Sequence, residues 1–156
     1  MKAAVFSDTH SNTALMKEAV RRLRPDLLIH LGYYDRDADC LRAEFPEIPL
    51  FSVCGNCDVV PTAPEKDVVP IGSVKAFLCH GHQYNVRWGG VDSLVYAAME
   101  AGCQIALFGH THEAYNGEIA GVKVVNPGSA GKGRTPTFAL IEVFDNGGIA
   151  CEIREL

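Results

Sequence analysis

Residues 3–10 read Ala3-Ala4-Val5-Phe6-Ser7-Asp8-Thr9-His10. A short apolar run that stops at Ser-Asp-Thr-His is the signal of a buried strand with polar groups at its end. Outward from it the pattern continues. Asn12 is placed to cap a helix to about Arg24, with Leu15, Ala19, Val20 and Leu23 on one face, and Pro25 stops it. Leu27–Leu31 reads as a second buried strand, 35–45 as a helix closed by Pro46, and Leu50–Cys54 as a third strand. A β-α-β-α-β opening calls for a mostly parallel sheet buried on both faces.

The second half changes character. Val68–Ile71 and Val74–Cys79 form a hairpin about Gly72-Ser73. Val91–Ala101 is helical in pattern, with Gly102 just past its end. Ile105–Phe108, Tyr115–Ile119, Val122–Val125, Phe138–Phe144 and Ile149–Ile153 read as strands separated by turn residues. Two mixed β-sheets packed face to face with helices outside, a four-layer α/β sandwich, satisfy both halves.

The 156 residues are one domain's worth, so residues 1–156 are expected to fold as a unit. With 47% apolar and 21% charged residues the balance is that of a globular chain, not a disordered or coiled-coil one. The net charge of −5 argues against a nucleic-acid binder. No apolar run reaches about 18 residues, so no membrane span is expected. The first eight residues lack a signal peptide's pattern, which makes the cytoplasm the expected location and the six cysteines reduced.

Five of the six histidines fall in three short motifs: Asp8-Thr9-His10, His80-Gly81-His82 and Gly109-His110-Thr111-His112. Each follows an expected strand, and such junctions gather at the C-terminal edge of a parallel sheet. The x-spaced pairs would share one side of an extended segment. Imidazole with carboxylate is a ligand set for zinc, manganese, iron or nickel. Gly55-Asn56 after the third strand joins them.

In this order the motifs resemble those of the calcineurin-like metallophosphoesterases, specifically the small single-domain bacterial and archaeal phosphodiesterase group. That pattern runs Asp-x-His, Gly-Asp, Gly-Asn, His, Gly-His-x-His. Here it stands as Asp8/His10, Gly32-Tyr33, Gly55-Asn56, His80 and Gly109-His110-Thr111-His112, and Asn126-Pro127-Gly128-Ser129 matches a further segment. The resemblance implies a small-molecule phosphoester substrate and one or two divalent ions (Mn, Ni, Zn or Fe). Asp8, His10 and His112 would hold the first ion; Asn56, His80 and His110 would hold the second. Asp8, Asn56 and His80 carry the catalytic part, with a metal-held hydroxide attacking phosphorus. Dimers or tetramers are common among relatives, so a homo-oligomer is an expectation.

Two positions depart from the pattern. Tyr33 stands where the family has the aspartate that bridges both metals. Two divalent ions about 3.5 Å apart repel by roughly 19 kcal/mol at an effective dielectric near 20, which bridging anions offset. The second ion should therefore bind more weakly than usual. Asp35 could swing in, or Tyr33 could ligate as a phenolate; the plainer reading has Asp35 starting the next helix, where its charge suits the dipole. Cys57 stands where many relatives carry the histidine that protonates the leaving group, and a thiol is a poor acid for that work. This favours diesters with good leaving groups.

Other features have plainer readings. Cys54-Gly55-Asn56-Cys57 lacks a following helix to activate a thiol, which argues against redox chemistry. Cys40, Cys79, Cys103 and Cys151 read as buried small hydrophobes, and His30 as a hydrogen-bonded core histidine. Tyr84, Arg87 and Trp88 fall on an expected loop, with Arg87 a candidate phosphate clamp. The rival to an enzyme is a non-catalytic scaffold for protein binding on the same fold, kept open by Tyr33.

Overall fold

The computed structural model describes residues 1–156. It holds two five-stranded mixed sheets. The first runs β10(Ile149–Glu155)-β9(Thr137–Val143)-β1(Lys2–Phe6)-β2(Leu27–His30)-β3(Leu50–Ser52); the second runs β4(Lys66–Ile71)-β5(Val74–Cys79)-β6(Ile105–Leu107)-β8(Val122–Asn126)-β7(Tyr115–Ile119). β1, β2 and β3 are parallel, as are β5, β6 and β8. The remaining pairings are antiparallel.

The apolar runs have a direct cause: both faces of each central strand are buried. In β1, Ala3 and Val5 face the space between the sheets, while Ala4 and Phe6 face the helices. In β5, Val74, Ala76 and Leu78 enter the intersheet core, and Phe77 and Cys79 the outer one. α1 (Ala14–Leu23) and α2 (Asp35–Glu44) cover the first sheet, and α4 (Asp92–Glu100) covers the second. This is the expected four-layer sandwich.

Local expectations differ at several places. Thr13, not Asn12, precedes α1, and no side chain caps it. The late start shifts the buried face to Met16, Ala19 and Val20, with Leu15 only half-buried. Arg24 then ends α1 in the left-handed conformation, φ 45°, ahead of Pro25. The expected loop after β5 is instead a 3₁₀ turn, His82–Tyr84, followed by a short α3, Val86–Gly89, which carries Arg87 and Trp88. Strand and helix ends move by a residue or two elsewhere. Cys79 and Cys103 are buried as expected, whereas Cys40 and Cys151 are half-buried, and all six cysteines are free thiols. No helix is long and apolar enough to cross a membrane.

Leu78 lies at the centre of the intersheet core with no exposed surface. Leu78→Ala should lower unfolding free energy by about 2–5 kcal/mol, read as a lower urea midpoint at unchanged m-value.

Candidate metal centre

The C-terminal ends of β1, β5 and β6 deliver the three histidine motifs to one edge of the sandwich, and the loop after β3 brings Asn56 beside them. The motifs converge by turning, not by extension. Asp8, His10, His110 and His112 have φ of 52°, 50°, 68° and 63°. These left-handed conformations are uncommon outside glycine and cluster at functional sites. The expectation that an extended backbone aligns the pairs is thereby corrected.

Asp8 is fully buried. Its Oδ2 accepts from Ser7 Oγ at 2.7 Å and from the His110 backbone N–H at 2.9 Å. Its Oδ1 has no hydrogen-bond partner, with His112 Nε2 at 3.2 Å and His80 Nε2 at 3.9 Å. His10 Nε2 stands 3.3 Å from His112 Nε2. Asp8, His10 and His112 thus bring three donor atoms within 4.8 Å of one another. Donors about 2.0–2.1 Å from one ion would lie about 3.0–3.4 Å apart. The 3.2 and 3.3 Å separations fit that requirement.

His80 is oriented from behind. Its Nδ1 lies 2.7 Å from Leu31 O, which can only accept, so Nδ1 carries the proton and Nε2 presents a lone pair. Asn56 Oδ1 lies 3.0 Å from that Nε2, and the His110 ring centroid is 5.2 Å from that of His80. The structure therefore brings all six sequence-derived residues to one crevice. His82 stands close by, 5.5 Å from the His80 ring centroid, with a buried and unpartnered Nδ1.

Burial favours the neutral form of four of the imidazoles. Burial pushes His10, His80 and His82 down, and burial followed by the nearby His80 pushes His110 down to about 4. Burial pushes the Asp8 carboxyl up, but His112, His80 and the Ser7 hydroxyl together outweigh it and hold the group below the usual range. One carboxylate among neutral rings suits a cation, because metal ligands must be deprotonated.

Sequence reasoning missed the parts that hold the loops. Ser129 Oγ donates to Asp8 O at 2.7 Å, and Asn126 Nδ2 donates to Gly109 O and to Thr111 Oγ1, each at 3.0 Å. A side chain at Gly109 would collide with Ser7 Oγ and approach Asp8 Oδ2 to 2.8 Å. Gly32 N–H donates to His30 Nδ1, so the other ring nitrogen donates to Thr9 Oγ1 at 2.6 Å. The Thr9 hydroxyl and the Ser11 N–H in turn serve Asp37. His30 is thus the satisfied core histidine expected, and it anchors the Asp8–His10 loop. Asn126-Pro127-Gly128-Ser129 was the one legible signal among these.

Of the two substitutes for the missing aspartate, Asp35 is turned away from the centre. Asp35 Oδ2 accepts from Thr62 N, Thr62 Oγ1 and Ala63 N at 2.6–3.1 Å, turned toward the 62–63 loop. It begins α2, as the plainer reading had it. Tyr33 lays its ring over His10, centroids 3.7 Å apart. Contact with Cys57, then burial, pushes its hydroxyl up to about 12, so the protein's own groups do not favour a phenolate. Arg87 Nη2 donates to His110 O at 3.0 Å at the rim.

His30 yields a pH prediction. Burial lowers its pKa from 6.5 to about 4. Between those values the unfolded chain binds a proton that the folded ring refuses, so stability falls as pH drops from 6.5 toward 4. The slope from this group should reach about 1.4 kcal/mol per pH unit. Urea midpoints across that window should show it, and His30→Gln should flatten it.

The calcineurin-like phosphoesterase superfamily domain matches residues 1–146. A Mycoplasma genitalium protein named "Probable metallophosphoesterase" is 30% identical over 133 residues, covering 83% of this chain and 77% of that one. Among solved structures, a Streptococcus pneumoniae protein titled a predicted phosphoesterase superposes with a TM-score of 0.78 at 23% identity, over 99% and 97% of the two chains. Zinc-complexed Vps29 from Entamoeba histolytica gives 0.75 at 26% identity, over 99% of each chain. With the domain matched over nearly its whole length, this chain belongs to the calcineurin-like phosphoesterase superfamily.

Proposed function

We propose that this phosphoesterase hydrolyses phosphodiesters, using divalent ions held by Asp8, His10 and His112 at one position and by Asn56, His80 and His110 at the other. The observation that carries the reading is Asp8: fully buried, one oxygen tied down, the other unpartnered and facing imidazole nitrogens at 3.2 and 3.9 Å. A buried carboxylate oxygen with no donor is costly unless a cation completes it. The zinc in the similar Vps29 supports an ion of that kind, and the donor set also suits manganese, nickel or iron.

A divalent ion bound there supplies Lewis acidity, acidifies water and stabilises the attacking and leaving oxygens. The chain's own residues do the rest. Ser7 and the His110 N–H fix Asp8 so that only Oδ1 is presented. Leu31 O holds the His80 proton on Nδ1, leaving Nε2 as a donor of electrons. Arg87 lies at the rim, bonded to the His110 carbonyl, where a guanidinium could bind the non-reacting phosphate oxygens. Cys57, at the position where many relatives carry a leaving-group histidine, contacts the Tyr33 hydroxyl, and a thiol is a poor substitute for an imidazole as an acid. This favours small-molecule diesters whose leaving groups need little protonation. Tyr33 at the bridging position favours one other reading, a catalytically weak scaffold.

Hydrolysis of bis-p-nitrophenyl phosphate, followed as p-nitrophenolate absorbance with Mn²⁺, Ni²⁺ or Zn²⁺ in turn, separates the two. Metal-dependent turnover is expected, and His10→Ala should lower kcat/KM by at least about 100-fold, beyond what loss of an outer hydrogen-bond partner costs. Metal binding without turnover for any ion would support the scaffold instead.

A further inference from the structure

We propose that the resting protein holds one divalent ion, at Asp8, His10 and His112, and takes a second, at Asn56, His80 and His110, only together with a phosphoryl oxyanion. The inference rests on the reading of those six residues as ligands and concerns the order in which the centre fills.

The argument is a charge inventory. Of the carboxylates on the loops and helix around the crevice, Asp35, Asp37 and Asp58 each have an oxygen engaged elsewhere, and Glu113, after His112, is exposed. Asp35 Oδ2 accepts from Thr62 and Ala63. Asp37 accepts from Ser11 N at 2.9 Å. Asp58 receives the Asp35 N–H at 3.0 Å and the Gly55 N–H at 2.9 Å, which clamps the loop after β3 to the start of α2. Asp8 is the carboxylate grouped with His10 and His112, and one of its oxygens is already spent on Ser7 and His110. A single oxygen, Oδ1, is thus the one anionic donor for both positions.

The remaining donors at the second position are neutral: a His80 ring whose proton is fixed on Leu31 O, the His110 ring and the Asn56 amide. Positive charge is already close. Arg87 is bonded to the His110 carbonyl. A second dication would raise the local charge to +3 before Arg87 is counted, since two ions bring +4 and Asp8 removes one. The Tyr33 ring rests on His10 and contributes no charge in place of a bridging carboxylate. A phosphoryl group supplies both the missing negative charge and oxygens able to bridge. Binding of ion and oxyanion must then be mutually reinforcing, by the same factor in each direction.

The experiment is manganese stoichiometry of the full chain, by equilibrium dialysis and by the electron paramagnetic resonance of bound Mn²⁺. It is run in chloride and then with inorganic phosphate, below the threshold of manganese phosphate precipitation. One ion per chain with an uncoupled spectrum is expected in chloride. With phosphate, two ions with a spin-coupled spectrum are expected, the second tightened about 10- to 100-fold, within the usual range of site-to-site coupling. Tyr33→Asp should bind two ions in chloride alone, and φ 106° at this position suits aspartate better than tyrosine. Tyr33→Asn, which removes the ring without adding charge, should stay at one. Two ions in wild type without phosphate, no second ion with it, or equal gains from Tyr33→Asn and Tyr33→Asp would overturn the inference. Absence of any bound ion would overturn the ligand reading beneath it.

Discussion

A buried carboxylate with one free oxygen is the constraint around which the molecule is arranged. Asp8 follows β1, whose residues 3–6 are fully buried, and Ser7, Asp8 and Thr9 are all inaccessible to solvent. Polar groups there must be satisfied from within. Ser7 finds Asp8 Oδ2, Thr9 finds His30, and the Asp8 carbonyl receives Ser129. Asp8 Oδ1 alone finds no donor. The loops from both sheets are bent to surround it, four of their residues in left-handed backbone that costs of order 1 kcal/mol or more each. The sandwich supplies the rigidity that holds this arrangement: strands buried on both faces cannot shift to relieve it.

The same sandwich explains which parts were legible in the sequence. Strand runs such as Ala3–Phe6 and Val74–Cys79 are apolar because neighbours cover both faces, so their burial is written in composition. Motif positions at strand ends follow from the parallel topology, and all six candidate residues meet. What was hidden depends on long-range contact. Nothing local to Asp58 says that it accepts from Asp35 and Gly55, and nothing near His30 says that its ring bonds Thr9. The left-handed turns at His10 and His112 were illegible because neither residue is glycine and the strain is imposed by packing. α1 slipped because Asn12 looked like a cap while Thr13 took the position without a capping bond.

The support of the site is divided between the sheets. The first contributes the Asp8 loop, backed by His30 and Asp37. The second contributes His80, His110 and His112, backed by Asn126. Contacts that cross the gap are few and short: Leu31 O to His80, His110 N–H to Asp8, Ser129 to the Asp8 carbonyl. Each fixes orientation more than it adds stability, since a net hydrogen bond contributes only about 1 kcal/mol. The crevice is a seam between two bodies whose apolar interface keeps them in register.

The seam also bears on the choice between catalyst and scaffold. A surface for protein partners gains nothing from an unpartnered carboxylate oxygen at 3.2 Å from an imidazole, or from a His110 ring whose pKa falls to about 4. The unpartnered oxygen lowers stability, the His110 shift does so below about pH 6.5, and both suit an ion-binding cleft, because neutral nitrogens and one negative oxygen become favourable once a cation stands among them. Tyr33 removes charge from the second position while leaving the first intact, as His10, His112 and Asp8 keep their mutual spacing beneath its ring. On the proposed ligand set, the departure from the family pattern therefore bears on the second ion, while the spacing of Asp8, His10 and His112 is kept.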